Sequence, residues 1–126
     1  MTQDEFAAYV GSLESHDTNI DPDILRSLHA VIGIAGEAGE LLDQVKRVFV
    51  YHTQFDTTHL VEEMGDLFHY LTMLMNIHGF NLDEIREANV RKLHVRYPGG
   101  YSHERAVNRN TDKECIALEE PNADDI

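Results

Sequence analysis

The sequence contains two pairs of acidic residues that could bind a metal ion together. In each pair the two members are three positions apart. Glu37 and Glu40 form the first pair, and Glu63 and Asp66 form the second. Residues three apart share one face of a helix. On the predicted helices the first pair and Asp66 border the apolar face, and Glu63 lies within it. An isolated pair of this kind is typical of a solvated edge, but two pairs need a common partner, because a lone buried charge costs several kcal/mol or more. A hard divalent cation such as Mg²⁺ binds carboxylate oxygens in this way.

A later predicted helix carries complementary groups. Asn89, Lys92 and Arg96 lie on one side of it, together with its apolar residues. Lysine acts as a point charge and arginine as a bidentate fork, so the pair suits a polyphosphate whose remaining oxygens bind metal. The alternative is a structural salt bridge from Lys92 or Arg96 to one of the four acids.

Helices must position these groups, and local signals predict four of them. A capping box at Thr2 and Glu5, a proline at the first helical position after Asp21, the stop Gly79 and the cap Asn81 mark their ends. Apolar residues at helical spacing fill the segments between these signals. The predicted helices cover about residues 3–15, 22–49, 60–78 and 82–97.

Three glycines interrupt the second predicted helix, at a cost of about 1 kcal/mol each relative to alanine. They are Gly33, Gly36 and Gly39. Either another helix or a ligand approaches the backbone closely there, or the helix is distorted.

The predicted fold is all-α, with residues 1–101 forming a bundle of four to five helices and residues 102–126 a polar, acidic arm or tail. The only local apolar cluster of this arm, residues 116–118, either stays in solvent or docks on the core or on a neighbouring subunit. Four helices in about 100 residues bury little core per chain. We therefore expect a homo-oligomer assembled through helix faces.

Composition limits the function further. The 126 residues carry ten Lys and Arg against 23 Asp and Glu, for a formal charge of -13, which opposes binding to a nucleic-acid backbone. The chain contains no apolar run of about 20 residues, so we expect a soluble protein without a membrane contact. A single cysteine, Cys115, and a start without signal-peptide character indicate a reducing cytoplasm.

Taken together, these motifs resemble the MazG-like nucleotide pyrophosphohydrolases. The resemblance is carried by residues 36–41 (Gly-Glu-Ala-Gly-Glu-Leu), residues 62–67 (Glu-Glu-Met-Gly-Asp-Leu) and the Asn89, Lys92, Arg96 series before Tyr97-Pro98. It extends from about His29 to Arg105. It implies an all-α enzyme that hydrolyses nucleoside triphosphates between the α and β phosphates, giving the monophosphate and pyrophosphate. It also implies Mg²⁺ or Mn²⁺, two or more ions per site, and assembly as homodimers or as tetramers built from dimers.

The resemblance also implies roles for single residues. The metal ligands and catalytic acids would be Glu37, Glu40, Glu63 and Asp66. The triphosphate would be held by Asn89, Lys92 and Arg96. Bound metal ions would neutralise the phosphates and orient a water towards the α phosphorus, and Glu40 is our candidate to accept that water's proton.

The base-binding residues are less clear, because many relatives have a tryptophan beside the second acidic motif and this chain has none. Its residues there are Phe68, His69 and Tyr70. Another ring must then stack on the base, and we take His29 and Tyr101 as substrate-binding residues. The further candidates are Phe49, Tyr51, His52, Phe55 and His69. The preferred base stays open.

Three other interpretations compete with this one. A di-iron helix bundle needs two acid-x-x-His pairs, and only Asp66 with His69 provides one. The His16-Asp17 dipeptide is reminiscent of HD-type metal phosphohydrolases, but further ligands in order are missing. An acidic, non-enzymatic interaction protein would use the charge of -13 directly, but it would have little use for Lys92 and Arg96 on a packed face.

Overall fold

The structure is a computed structural model that describes residues 1–15 and 19–119. These residues form six α-helices and, within those ranges, no strand. The helices are α1 (Gln3–Ser12), α2 (Pro22–Tyr51), α3 (Thr57–His78), α4 (Leu82–Arg96), α5 (His103–Val107) and α6 (Thr111–Glu119). The predicted all-α class is confirmed. His16 and Asp17, the HD-type candidates, and the acidic end of the chain from residue 120 lie outside the described residues.

Local capping explains where the helices begin and end. Thr2 and Asn81 form the predicted capping boxes of α1 and α4, and Gly79 ends α3 in the left-handed conformation with φ 73°. α3 begins three residues earlier than predicted, because the Asp56 side chain accepts hydrogen bonds from the backbone of residues 58 and 59. α1 ends at Ser12 rather than at residue 15.

The two acid-bearing helices, α2 and α3, pack on each other along their length. Ser27 contacts His78 with 2.9 Å between the hydroxyl and Nε2, Gly33 faces Tyr70, and further along α2 Glu37 lies near Glu63. The partner numbers fall as the α2 numbers rise, so the helices run antiparallel. This pairing brings the two acidic motifs to the same level.

The close approach predicted at the glycines occurs at one of the three. A methyl group on Gly33 would overlap the ring of Tyr70, whereas Gly36 and Gly39 have open space where a side chain would start. Only Gly33 is therefore required for the packing of α2 on α3. At the other two, no described residue of this chain covers the backbone beside Glu37.

The segment predicted as a polar arm contains α5 and α6, and α6 packs on α4. Ala117 is buried in this contact, and its carbonyl oxygen accepts a hydrogen bond of 3.0 Å from Arg91 Nε. Of the two outcomes left open for residues 116–118, docking on the folded domain is therefore observed. The end of the catalytic domain at residue 101 stays a prediction.

Very little apolar surface is buried within one chain. In the described part of the chain, Ala30 and Ala117 are the only buried hydrophobic residues. Large side chains on α2 and α3 are exposed, among them Leu42 at 70 %, Phe49 at 80 % and Val61 at 69 %. None of the described helices combines the length and the apolar character that crossing a membrane requires.

Candidate active site

Three carboxylates meet across the α2–α3 contact. Glu37 of α2 and both Glu63 and Asp66 of α3 each offer an oxygen, and these oxygens all lie within 4.8 Å of one another. The spacing of three residues places Glu63 and Asp66 on one face of α3, and the antiparallel packing places Glu37 opposite them. The structure thus brings together three of the four acids predicted as ligands.

In the part of the chain that the structure describes, no protein cation balances the charge of the triad. Within residues 1–15 and 19–119, the ion pairs involve none of Glu37, Glu40, Glu63 and Asp66. The pKa of Glu63 is raised, chiefly by desolvation, then by its hydrogen bond with Glu37 and the negative charges of Glu40 and Glu37. Crowded oxygen ligands without a counter-charge fit a hard divalent cation.

Glu40, the fourth predicted ligand, is exposed and stands outside the triad. Together with Glu63 it lines a polar cavity of about 520 Å³, which lies beside the C-terminal end of α2 and the loop that connects α2 to α3. The remaining lining residues are Asp43, Gln44, Arg47, Thr53, Gln54, Asp56 and His59. Glu40 is therefore close enough to influence Glu63 electrostatically and still faces open space.

The predicted phosphate-binding residues lie on α4, whose extensive packing is against α6 rather than against the acidic helices. The Arg96 guanidinium donates two hydrogen bonds to Glu114 of α6, from Nε at 3.0 Å and from Nη2 at 2.8 Å. From the sequence, a structural salt bridge is the alternative to phosphate binding for Arg96. Such a salt bridge exists, but its partner is Glu114 and not one of the four acids. No hydrogen bond of the described chain joins Asn89 or Lys92 to those acids.

Glu114 was missed in the sequence because it lies in the segment predicted as a tail. It is 3 % exposed and also accepts two hydrogen bonds from Arg109, at 3.3 Å and 2.6 Å. The two arginines hold the pKa of Glu114 well below its usual range. The signal that could have found it is the spacing of Glu114 and Ala117, which puts them on one face of a helix.

The two substrate-binding rings lie in different places. The His29 ring is 6.1 Å from that of Tyr70, centroid to centroid, so it lies on the side of the triad where α2 begins. The centroid of the Tyr101 ring is 5.4 Å from that of Tyr97, the residue that follows Arg96. Tyr101 is 73 % exposed. His69, which the di-iron interpretation requires, packs edge-on against Tyr70 and is outside the carboxylate triad.

Fold and site together define a small all-α protein with a carboxylate cluster suited to a divalent metal. The family model of the MazG nucleotide pyrophosphohydrolase domain matches residues 27–101, which is more than half of the chain. The chain therefore belongs to the MazG nucleotide pyrophosphohydrolase family, as its motifs predicted. The comparison with curated proteins gave no match, and the comparison with solved structures gave none either.

Proposed function

We propose that this protein hydrolyses nucleoside and deoxynucleoside triphosphates between the α and β phosphates, releasing the monophosphate and pyrophosphate. The observation that carries the proposal is the carboxylate triad across α2 and α3, whose oxygens lie within 4.8 Å of one another and, among residues 1–15 and 19–119, pair with no protein cation. Membership of the family supplies the reaction class. Control of the nucleotide pool in the cytoplasm is the role that we propose for it.

Each acid has a proposed task. Glu37, Glu63 and Asp66 bind the metal, with Glu40 as a further ligand or as the group that accepts the proton of the attacking water. Its exposed position beside Glu63 supports the second role. When bound, Mg²⁺ or Mn²⁺, in two or more copies, supplies positive charge that offsets the charge of the phosphates.

The other residues hold the nucleotide. Asn89, Lys92 and Arg96 bind the phosphate groups by charge-assisted hydrogen bonds. His29 and Tyr101 contact the base or sugar. Because α4 packs on α6 rather than on the acidic helices, we propose that a second copy of the chain completes the site in a homodimer or a tetramer built from dimers.

The reaction is tested by chromatography of products. The purified protein is incubated with the eight common ribo- and deoxyribonucleoside triphosphates, with Mg²⁺, Mn²⁺ or EDTA. We expect metal-dependent formation of monophosphate and pyrophosphate, and the relative rates will rank the bases. Diphosphate and phosphate as products would contradict the proposed cleavage site, and no turnover with either metal would favour the acidic interaction protein instead.

A further inference from the structure

A three-membered ion cluster joins the end of α4 to the C-terminal segment. Glu114 lies between Arg96 and Arg109, and each guanidinium donates from Nε and Nη2 to its two oxygens. The two Nη2 atoms share the same oxygen, Oε2, so the guanidinium groups are neighbours. Arg109 and Glu114 lie beyond residue 101, where the family match ends.

The cluster contains more positive charge than its carboxylate can balance. One guanidinium neutralises one carboxylate, so the second leaves a net charge of +1 on the three side chains. A guanidinium has five N–H donors, and Glu114 uses two of each arginine. The Arg96 side chain is 16 % exposed and contacts Tyr97, whereas the Arg109 side chain is 43 % exposed and has donors that Glu114 does not use.

The surrounding sequence strengthens this local charge. Residues 91–114 contain six of the ten Lys and Arg of the chain but only three of its 23 acids. This segment is therefore basic in a chain whose formal charge is -13. This concentration of positive charge raises the local affinity for anions such as phosphate groups. It does not favour a metal cation or a neutral base.

We propose that Arg109 is a second phosphate-binding arginine and that Glu114 is a positioning residue, which holds Arg96 and Arg109 side by side for the pyrophosphate half of the substrate. This inference rests on the proposed function. Cleavage takes place at the α phosphorus, beside the acids, so the β and γ phosphates are the part that extends away from them. A pair of adjacent guanidinium groups matches two adjacent phosphates.

The experiment compares wild type with Arg109→Ala, since Arg109 is partly exposed and its removal leaves Arg96 to pair with Glu114. We expect KM for the preferred triphosphate to rise about tenfold, as for the loss of one charge-assisted hydrogen bond, with a smaller change in kcat. The inhibition constant of inorganic pyrophosphate should rise by the same factor, and the affinity for the monophosphate should not change. Arg109→Lys should recover part of the loss.

The matched control is Arg86→Ala, which removes the same charge from the other end of α4, where Arg86 pairs with Asp83 in solvent. It should behave as wild type. An unchanged KM in Arg109→Ala, or an equal loss of monophosphate affinity, would overturn the inference and leave the proposed function standing. A wild type that turns over no triphosphate would instead overturn the proposed function.

Glu114→Gln tests the positioning role separately. It keeps the shape of the side chain and removes its charge, so both arginines lose their fixed geometry while their charges remain. We expect KM to rise at least as much as in Arg109→Ala, and an unchanged KM in a folded variant would contradict the positioning role. If that variant does not fold, Glu114→Asp takes its place: it keeps the charge, but its shorter side chain cannot hold both guanidinium groups in the same geometry, so an unchanged KM would contradict the positioning role.

Discussion

At the scale of single residues, Glu63 is the member of the carboxylate triad with the most acidic groups crowded around it. Its pKa is raised because burial desolvates it, because it hydrogen-bonds with Glu37, and because Glu40 and Glu37 place negative charge beside it. The ionised form is therefore disfavoured as long as no cation is bound. A divalent ion reverses the sign of that interaction, which is why binding of metal should be sensitive to this one side chain.

We predict that Glu63→Gln abolishes triphosphate turnover and keeps the fold. The amide preserves the shape but removes a negative ligand from the triad. Because the substitution also removes repulsion from Glu37 and Glu40, the metal-free variant should melt no lower than wild type. Product chromatography measures the turnover, and circular dichroism measures the melting.

The matched control for this prediction is Glu62→Gln. Glu62 is exposed, and its carboxylate faces the ring nitrogen Nδ1 of His59 at 3.0 Å instead of the triad. Glu62→Gln makes the same chemical change at the residue next to Glu63, and this variant should retain turnover. More than a few per cent of activity in Glu63→Gln would refute the ligand role.

At the scale of elements, the α2–α3 pair is the unit that builds the site. Its antiparallel register is fixed on the side of the triad where α2 begins by the contact of Ser27 with His78 and by the packing of Tyr70 on Gly33. The tightest of these contacts is Tyr70 against the backbone of Gly33. A change of spacing here would separate Glu37 from the acids of α3.

We predict that Gly33→Ala destabilises the protein by about 1–3 kcal/mol, as is typical of overpacking at a tight contact. The Tyr70 ring would have to move, and the two helices would separate locally. Gly36→Ala is the control, since a side chain there meets open space and alanine favours the helix by up to about 1 kcal/mol. Urea unfolding measures both.

The change in the free energy of unfolding should therefore have opposite signs in the two variants. Equal midpoints for Gly33→Ala and Gly36→Ala would contradict the close packing of Tyr70 on α2. A loss of activity in Gly33→Ala without a loss of stability would show that the ring shifts and moves the acids with it.

At the scale of the whole molecule, exposed apolar surface is the main feature. Large hydrophobic side chains on α2 and α3 remain in solvent in the single chain. An apolar cavity of about 280 Å³ also lies between the end of α3 and the start of α4, lined by residues that include Phe68, Leu71 and Ile85. Exposed apolar surface of this kind is typical of association surfaces.

We predict that the protein is a dimer or a tetramer at micromolar concentration, because an isolated chain buries too little apolar area for a stable core. Light scattering after size exclusion measures the mass. Leu42→Glu, which places a charge on an exposed apolar position of α2, should shift the mass towards the monomer and reduce turnover. A wild-type monomer with full activity would contradict the prediction.

Much of the fold was predictable from the sequence because its signals are local. A capping box spans three residues and apolar periodicity spans a few turns, so α1 to α4 were placed within about three residues at most ends. The missed elements were α5 and α6. Each is short, and the polar composition of their segment hides the single buried face of α6.

The sequence by itself determined helices α1 to α4, the family and the pairing of acids at a spacing of three, since each depends on residues that are close along the chain. Only the tertiary structure decided that Tyr70 covers Gly33, that Glu37 meets Glu63 and Asp66, and that Arg96 is held by Glu114, 18 residues away. The physical reason is that charged and close-packed groups choose their partners by distance in space. Helical periodicity shows which face a residue lies on, but not which helix packs against that face.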